Sequence, residues 1–175
     1  MSEEEYINTV KVTIVYPNEK RQALKRKIRE TLSDIMDKDH LENLLDTQFK
    51  YFLICFTTSE AHPVYNYQVY EKTGDGMLSG SFQNYAYRRL PGITEGNLND
   101  LTSHFTSKLK LAEYSKNLGF KDLIYNGIKK LGEDVSVLED IFEAFIGALS
   151  LACDELVMHS GYAFVYEFIK RIYDR

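Results

Sequence analysis

Leu138-Glu139-Asp140-Ile141-Phe142-Glu143-Ala144-Phe145-Ile146-Gly147-Ala148 sets three acidic side chains into an otherwise apolar run. Ile141, Phe145, Ala148 and Ala152 recur at helical spacing, and Ser136-x-x-Glu139 has the pattern of a capping box, so a helix is expected to open near Ser136. Asp140 and Glu143 are three apart and share one face of it. About 65 residues earlier lies Tyr70-Glu71-Lys72-Thr73-Gly74-Asp75-Gly76-Met77-Leu78, inside a helix predicted from Val69 to Arg89. There Glu71 and Asp75 are four apart, which on a helix leaves about 5–6 Å between their Cβ atoms. Glycine inside a helix costs about 1 kcal/mol relative to alanine. Gly74, Gly76 and Gly147 therefore predict close approach of another backbone.

If the two acidic faces meet, four carboxylates converge. Like charges at that distance are tolerated only with a bound cation or with some members protonated. Oxygen-only ligation suits Mg²⁺, for which Mn²⁺ can substitute. Such a site serves in-line displacement at phosphorus, with a second ion about 3.5–4 Å from the first. Acidic pairs at these spacings also arise on ordinary solvated helix faces, and spacing alone does not identify a reaction.

The rest of the 175 residues reads as one domain with a sizeable core. Hydrophobic residues make up 44% and charged residues 27%, an ordinary globular balance. Only three prolines occur, so long helices are permitted. No apolar run reaches the roughly 18 residues that span a bilayer, and the acidic start lacks a signal-peptide layout, so a cytoplasmic protein without a membrane segment is expected. The net charge of −5 argues against an RNA-coating protein that works by phosphate neutralisation. It leaves room for an enzyme whose ions supply positive charge locally. Cys55 and Cys153 are expected to be buried thiols rather than a disulfide or zinc site.

Helical spacing recurs over Lys20–Asp37 (Leu24, Ile28, Leu32, Ile35, Met36), Leu41–Phe56, a single helix carrying Leu98 to Leu118 closed by Gly119, and a last helix with Val165, Phe168, Ile169 and Ile172. Arg21, Lys25, Arg26 and Arg29 form a charged face, either solvated or phosphate-facing. Alternation over Tyr6–Tyr16 allows a short N-terminal strand. The expected class is all-α, a helical bundle. Residues 1–40 are expected to be an extension with a basic helix packed on a domain of residues 41–175.

Three segments in order resemble the ribonuclease III family. Glu71-x-x-Gly74-Asp75-x-x-Leu78 is similar to its signature Glu-Phe-Leu-Gly-Asp-Ala-Val-Leu. Asp140-x-x-Glu143-Ala144-Phe145-Ile146-Gly147 resembles Asp-x-x-Glu-Ala-Leu-Ile-Gly. Pro91, Glu95-Gly96, Leu98 and Leu111-Ala112 to Leu118-Gly119 resemble the segment between. Phe56-Thr57-Thr58-Ser59 is faintly similar to the family's Leu-Thr-His-x-Ser. The likeness covers roughly residues 45–173, and details around Asn66–Lys72 and Gly161–Tyr166 look more like the proteins of large DNA viruses than bacterial ones.

The resemblance implies the ribonuclease III endonuclease domain fold and hydrolysis of double-stranded RNA by a homodimer, with Glu71, Asp140 and Glu143 as metal ligands and Asp75 binding or orienting the water held there. It also implies Glu95 at the edge of a catalytic valley. Arg88, Arg89, Lys108, Lys110, Lys129 and Lys130 are candidate phosphate contacts. Two departures stand out. Lys72-Thr73 replaces a Phe-Leu pair that helps build the family's dimer interface, and Gln68 stands where a glutamate is frequent. No double-stranded-RNA-binding domain follows within these residues, so RNA binding is expected from this domain alone unless the chain is a fragment. The alternatives are a catalytically inactive ribonuclease III-like subunit that binds RNA or a partner, and a helical metal enzyme of other chemistry such as a nucleotide pyrophosphatase. His62 reads as a surface loop residue, and His104 and His159 lack the i+4 histidine or cysteine partners that zinc ligation needs. Tyr85, Tyr87 and Tyr166 are expected in the core or an interface.

Overall fold

Two helices that touch backbone to backbone organise the molecule. The structure, a computed structural model, describes residues 16–127 and 134–174. Its helices are α1 (Asn18–Leu32), α2 (Lys38–Thr47), α3 (Phe49–Cys55), α4 (Gln68–Arg89), α5 (Glu95–Phe105), α6 (Lys108–Asn117), α7 (Val135–Leu156) and α8 (Gly161–Tyr173), with a 3-10 turn at Phe120–Leu123. The fold is all-α. Among the described residues extended pairing is confined to one parallel bridge between Thr57 and Tyr125. The strand expected over residues 6–16 lies outside the described residues except for Tyr16, as do Lys129 and Lys130.

α7 is the central element because it is apolar on almost every side: Ile141, Phe142, Ala144, Phe145, Ile146, Ala148 and Leu149 are all fully buried. A helix without a polar face has to be surrounded, and α3, α4, α6 and α8 all pack on it. Phe145 sits at the centre of the aromatic core, 4.9 Å from the Phe120 ring, 5.2 Å from Phe168 and 5.8 Å from Phe52. α1 contributes Leu24, Ile28 and Leu32 to the same core. Its basic face is turned to acidic partners: Arg29 makes two hydrogen bonds to Glu42, at 2.6 and 2.9 Å, and Lys25 lies 3.4 Å from Asp46. That pairing with α2 favours the solvated reading of this face over a phosphate-facing one.

Four boundaries differ from the periodicity reading. The helix expected to run to Asp37 ends at Leu32, although Met36 stays buried. The stretch Leu41–Phe56 is split at Gln48, whose φ of −117° and ψ of 12° break the helix so that α3 can turn into the core. The helix expected over Leu98–Leu118 is likewise split at Thr106-Ser107, and Leu109 within it is 73% exposed. Periodicity persists across both breaks because the buried face is continuous even where the backbone is not. The start of α7 is capped by Asp134, whose side chain accepts from the N–H groups of Ser136 and Val137, and not by a Ser136 box. Glu139 is thereby released from capping. Gly119 does close α6, at φ 73°.

Candidate metal centre

Along α4 the positions Glu71, Gly74, Asp75 and Leu78 form one stripe; along α7 Asp140, Glu143 and Gly147 form another. The helices cross where the glycines meet. A Cβ on Gly74 would lie 1.7 Å from the Glu143 carbonyl oxygen, and one on Gly147 would lie 2.3 Å from the Tyr70 carbonyl oxygen. No side chain fits at either position, so the backbones approach at van der Waals distance. Gly76 differs from the expectation: a Cβ there would meet nothing within 4 Å, because it faces outward from α4.

Carboxylates one turn from the crossing are carried together by it. One oxygen each from Glu71, Asp140 and Glu143 lie within 4.8 Å of one another. All three are half-buried. Asp75 lies outside that set of three, yet among neighbouring charges it acts most strongly on Glu143. Three of the four residues singled out in the sequence thus converge, and Asp75 lies one turn from Glu71 on the same face of α4.

The electrostatics follow from burial and like charge. The Glu143 carboxyl is pushed up from 4.5 to about 8, first by burial and then by Asp75, Glu139, Glu71 and Asp140. Glu71 is raised by burial, Asp140, Glu139 and Asp75, with Lys72 opposing. Asp140 is raised by burial, while the Tyr67 hydroxyl, which donates to Asp140 Oδ2 at 3.1 Å, stabilises its charged form. A cluster of this kind holds its full negative charge only at a cost, which a cation in its centre removes. The residues fit a hard divalent ion: the donors are all carboxylate oxygens, and one from each residue lies within 4.8 Å of the other two.

Two contributors, Tyr67 and Glu139, were not apparent from the sequence, and a third, Lys108, was apparent only as a basic candidate. Tyr67 precedes α4 and reaches across to α7. Glu139 faces the cluster and bears on Glu71, Asp140 and Glu143 alike. Lys108, one of several basic candidates, pairs with Glu139 at 2.9 Å. The other candidates are elsewhere. Arg88 donates to Asn84 at 2.8 Å and lies over the Tyr166 ring, and Arg89 pairs with Asp174 and lies over Tyr85. By helical rise they stand about 20 Å along α4 from Asp75. Glu95 opens α5 just beyond that end and is exposed. Lys110 is occupied by Glu113 at 3.0 Å. Tyr85 is partly buried against Phe82 and Tyr173, whereas Tyr87, expected in a core or interface, is 63% exposed in the single chain. His62 organises its own loop, its Nδ1 accepting from the backbone N–H groups of Val64 and Tyr65.

Comparison with known proteins agrees with this arrangement. Residues 68–154, which contain both stripes, match the family model described as the ribonuclease III domain. Ribonuclease 3 of Lactobacillus acidophilus is 35% identical over 117 residues, covering 63% of this chain and 50% of that protein. A Frog virus 3 protein provisionally named ribonuclease 3 is 31% identical over 127 residues, covering 68% of this chain and 34% of that one. The chain therefore spans about half the length of the bacterial relative and a third of the viral one. Its fold is that of the nuclease domain of ribonuclease III from Campylobacter jejuni, with a TM-score of 0.63 at 24% identity over 83% of this chain and 93% of that one. A second structure of that domain aligns with a TM-score of 0.62 at 22% identity over 86% and 96%. By its matched motifs, its helical architecture and its crossing of acidic helices, this chain belongs to the ribonuclease III domain family.

Proposed function

We propose that this domain is a divalent-metal-dependent endoribonuclease that hydrolyses the phosphodiesters of double-stranded RNA as a homodimer. The observation that carries the reading is the convergence of Glu71, Asp140 and Glu143 within 4.8 Å on two helices locked by glycine contact. In this reading those three residues hold Mg²⁺, for which Mn²⁺ can substitute, and Asp75 orients the attacking water. Bound ions there supply Lewis-acid activation of water and of the scissile phosphate. The protein's own part is to keep the donors in place: Tyr67 fixes one Asp140 oxygen, and the buried flank of α7 keeps the carboxylates half-desolvated. The described residues of each chain form one such centre, and a duplex has two strands to cut. A two-fold homodimer supplies the second centre. Lys72 and Thr73 are exposed on α4 and so available to a partner copy. Recognition by shape suits A-form RNA, whose bases are poorly accessible. No helix among the described residues is long and apolar enough to cross a membrane. We place the activity in the cytoplasm, of the host cell if the chain is virus-encoded, where two free buried thiols are stable.

Incubation with long double-stranded RNA and Mg²⁺ is expected to give short duplexes with 5′-phosphate and 3′-hydroxyl ends, and a chelator is expected to stop the reaction. Light scattering after size exclusion should show a dimer. RNA left intact while free nucleotides are hydrolysed would overturn the reading in favour of a pyrophosphatase. RNA bound but uncut in Mg²⁺ and Mn²⁺ would favour the inactive subunit.

The Tyr67 contact makes its own prediction. Tyr67→Phe keeps the buried ring and removes only the hydroxyl on Asp140. Partners that orient a ligand typically contribute 10–100-fold to metal affinity, so Mg²⁺ binding by calorimetry should weaken about tenfold with the fold unchanged. Unaltered affinity would show that Asp140 needs no such support.

A further inference from the structure

The centre carries a fifth carboxylate that lies outside the converging oxygens. Glu139 is 81% covered on its side chain, one residue before Asp140, and its charge acts on Glu71, Asp140 and Glu143. Left uncompensated, its charge would add to that of the three converging carboxylates in repelling an RNA phosphate.

Lys108 compensates it. Lys108 stands in the first turn of α6, and α6 is pinned to α7 beside this point: the Ser115 hydroxyl donates to the Leu138 carbonyl at 2.6 Å, Tyr114 packs on Phe142, and Leu111 and Ala112 are buried. The ammonium is thereby delivered to Glu139 at 2.9 Å and feels Asp140 and Asp134 as well. Its side chain nevertheless remains 52% exposed. An ammonium has three N–H donors. One faces Glu139, and the solvent side of the same group is open at the edge of the acidic centre. Lys110, two positions on, pairs with Glu113 of its own helix at 3.0 Å and is less exposed, at 35%.

Resting on the endoribonuclease reading above, we infer that Lys108, held in place by Glu139, binds a backbone phosphate next to the scissile one. It is the cation that admits the RNA strand to the acidic centre. Glu139 is a positioning residue in this arrangement, fixing where the ammonium sits. The chemistry recognised is a non-bridging phosphate oxygen of the backbone, so no base preference is expected from it.

The test is equilibrium binding of a short RNA duplex to the full chain in Ca²⁺, which occupies oxygen sites without supporting rapid cleavage, across a salt series. Lys108→Ala is expected to weaken binding about tenfold and to lower the slope of log affinity against log salt by about one per site occupied. Lys108→Arg should restore most of both. In Mg²⁺ the loss in Lys108→Ala should appear in KM, with kcat within about threefold of the parent. Lys110→Ala, with the neighbouring paired lysine removed, should match the parent in slope. Glu139→Gln should keep the slope, because the ammonium remains, and raise KM by less than Lys108→Ala does, because the ammonium is no longer fixed in place, with kcat again within about threefold of the parent. A parent protein that binds duplex while Lys108→Ala binds with the same slope would overturn the inference alone. So would a Lys108→Ala whose only change is in metal affinity or melting temperature, which would make Lys108 a mere counter-charge. A parent that binds no duplex would overturn the reading beneath it.

Discussion

Replacing Glu143 with glutamine is expected to abolish cleavage, by on the order of 10²–10³-fold or more, while making the metal-free protein more stable. The two effects have one cause. Glu143 is the member whose carboxyl is pushed furthest, to about 8 from 4.5, by burial and by four carboxylate neighbours. A group whose folded pKa is raised favours folding below the unfolded value and loses that advantage as pH rises through the folded value. The metal-free parent should therefore lose stability progressively between pH 4.5 and 8, and Glu143→Gln should remove much of that loss. Its melting temperature should exceed the parent's at pH 8 and converge with it towards pH 4.5. Mg²⁺ should reverse the order, since an ion that binds only the folded state at 100 times its Kd adds about 2.7 kcal/mol, and the variant should lack most of that gain. Calorimetric melts at several pH values, with Mg²⁺ and with chelator, read all of this. A variant that cleaves RNA at the parent rate would remove Glu143 from the mechanism. A melting temperature equal to the parent's at pH 8 would show that the cluster carries no strain.

Gly74→Ala is expected to be the most damaging small substitution in the protein. The new methyl would stand 1.7 Å from a main-chain carbonyl oxygen and 2.6 Å from its carbon, atoms that cannot rotate away. The helices must separate, and overpacking of this severity belongs at or above the upper end of the usual range, about 3 kcal/mol. The same separation moves Glu71 away from Glu143, so metal affinity should fall with stability. Gly76→Ala, two residues on, is the matched control. Its methyl meets open space, and alanine in a helix interior is favoured over glycine by about 1 kcal/mol. Urea unfolding of the pair should therefore give changes of opposite sign. Equal and small effects would mean that the crossing is looser than the glycine contact implies.

These two glycines also mark the limit of what periodicity can say. Both sit in the same helix, and both cost the isolated helix the same. From the chain alone Gly74, Gly76 and Gly147 predicted close approach alike, and of these three Gly74 and Gly147 have it and Gly76 does not. Which face of α4 meets α7 depends on the register of the crossing, which no single helix encodes. Glu139 was hidden for a related reason. Read locally it completes a capping box with Ser136, but Asp134 takes the cap, leaving Glu139 to face Lys108 across 31 positions in the chain. Tyr67 is a residue before a helix in the linear pattern and becomes a support for Asp140 only when α4 and α7 cross.

The apolar periodicity and the composition were enough to require an all-helical core, and the spacing of Glu71 with Asp75 and of Asp140 with Glu143 was enough to put each pair on one helix face. Those are properties of single segments, set by 3.6 residues per turn. The meeting of the two faces, the fifth carboxylate, its lysine and the tyrosine behind Asp140 were decided by tertiary packing. Contacts between segments depend on where backbones can approach, and here that place is set by the absence of a Cβ at Gly74 and Gly147 together.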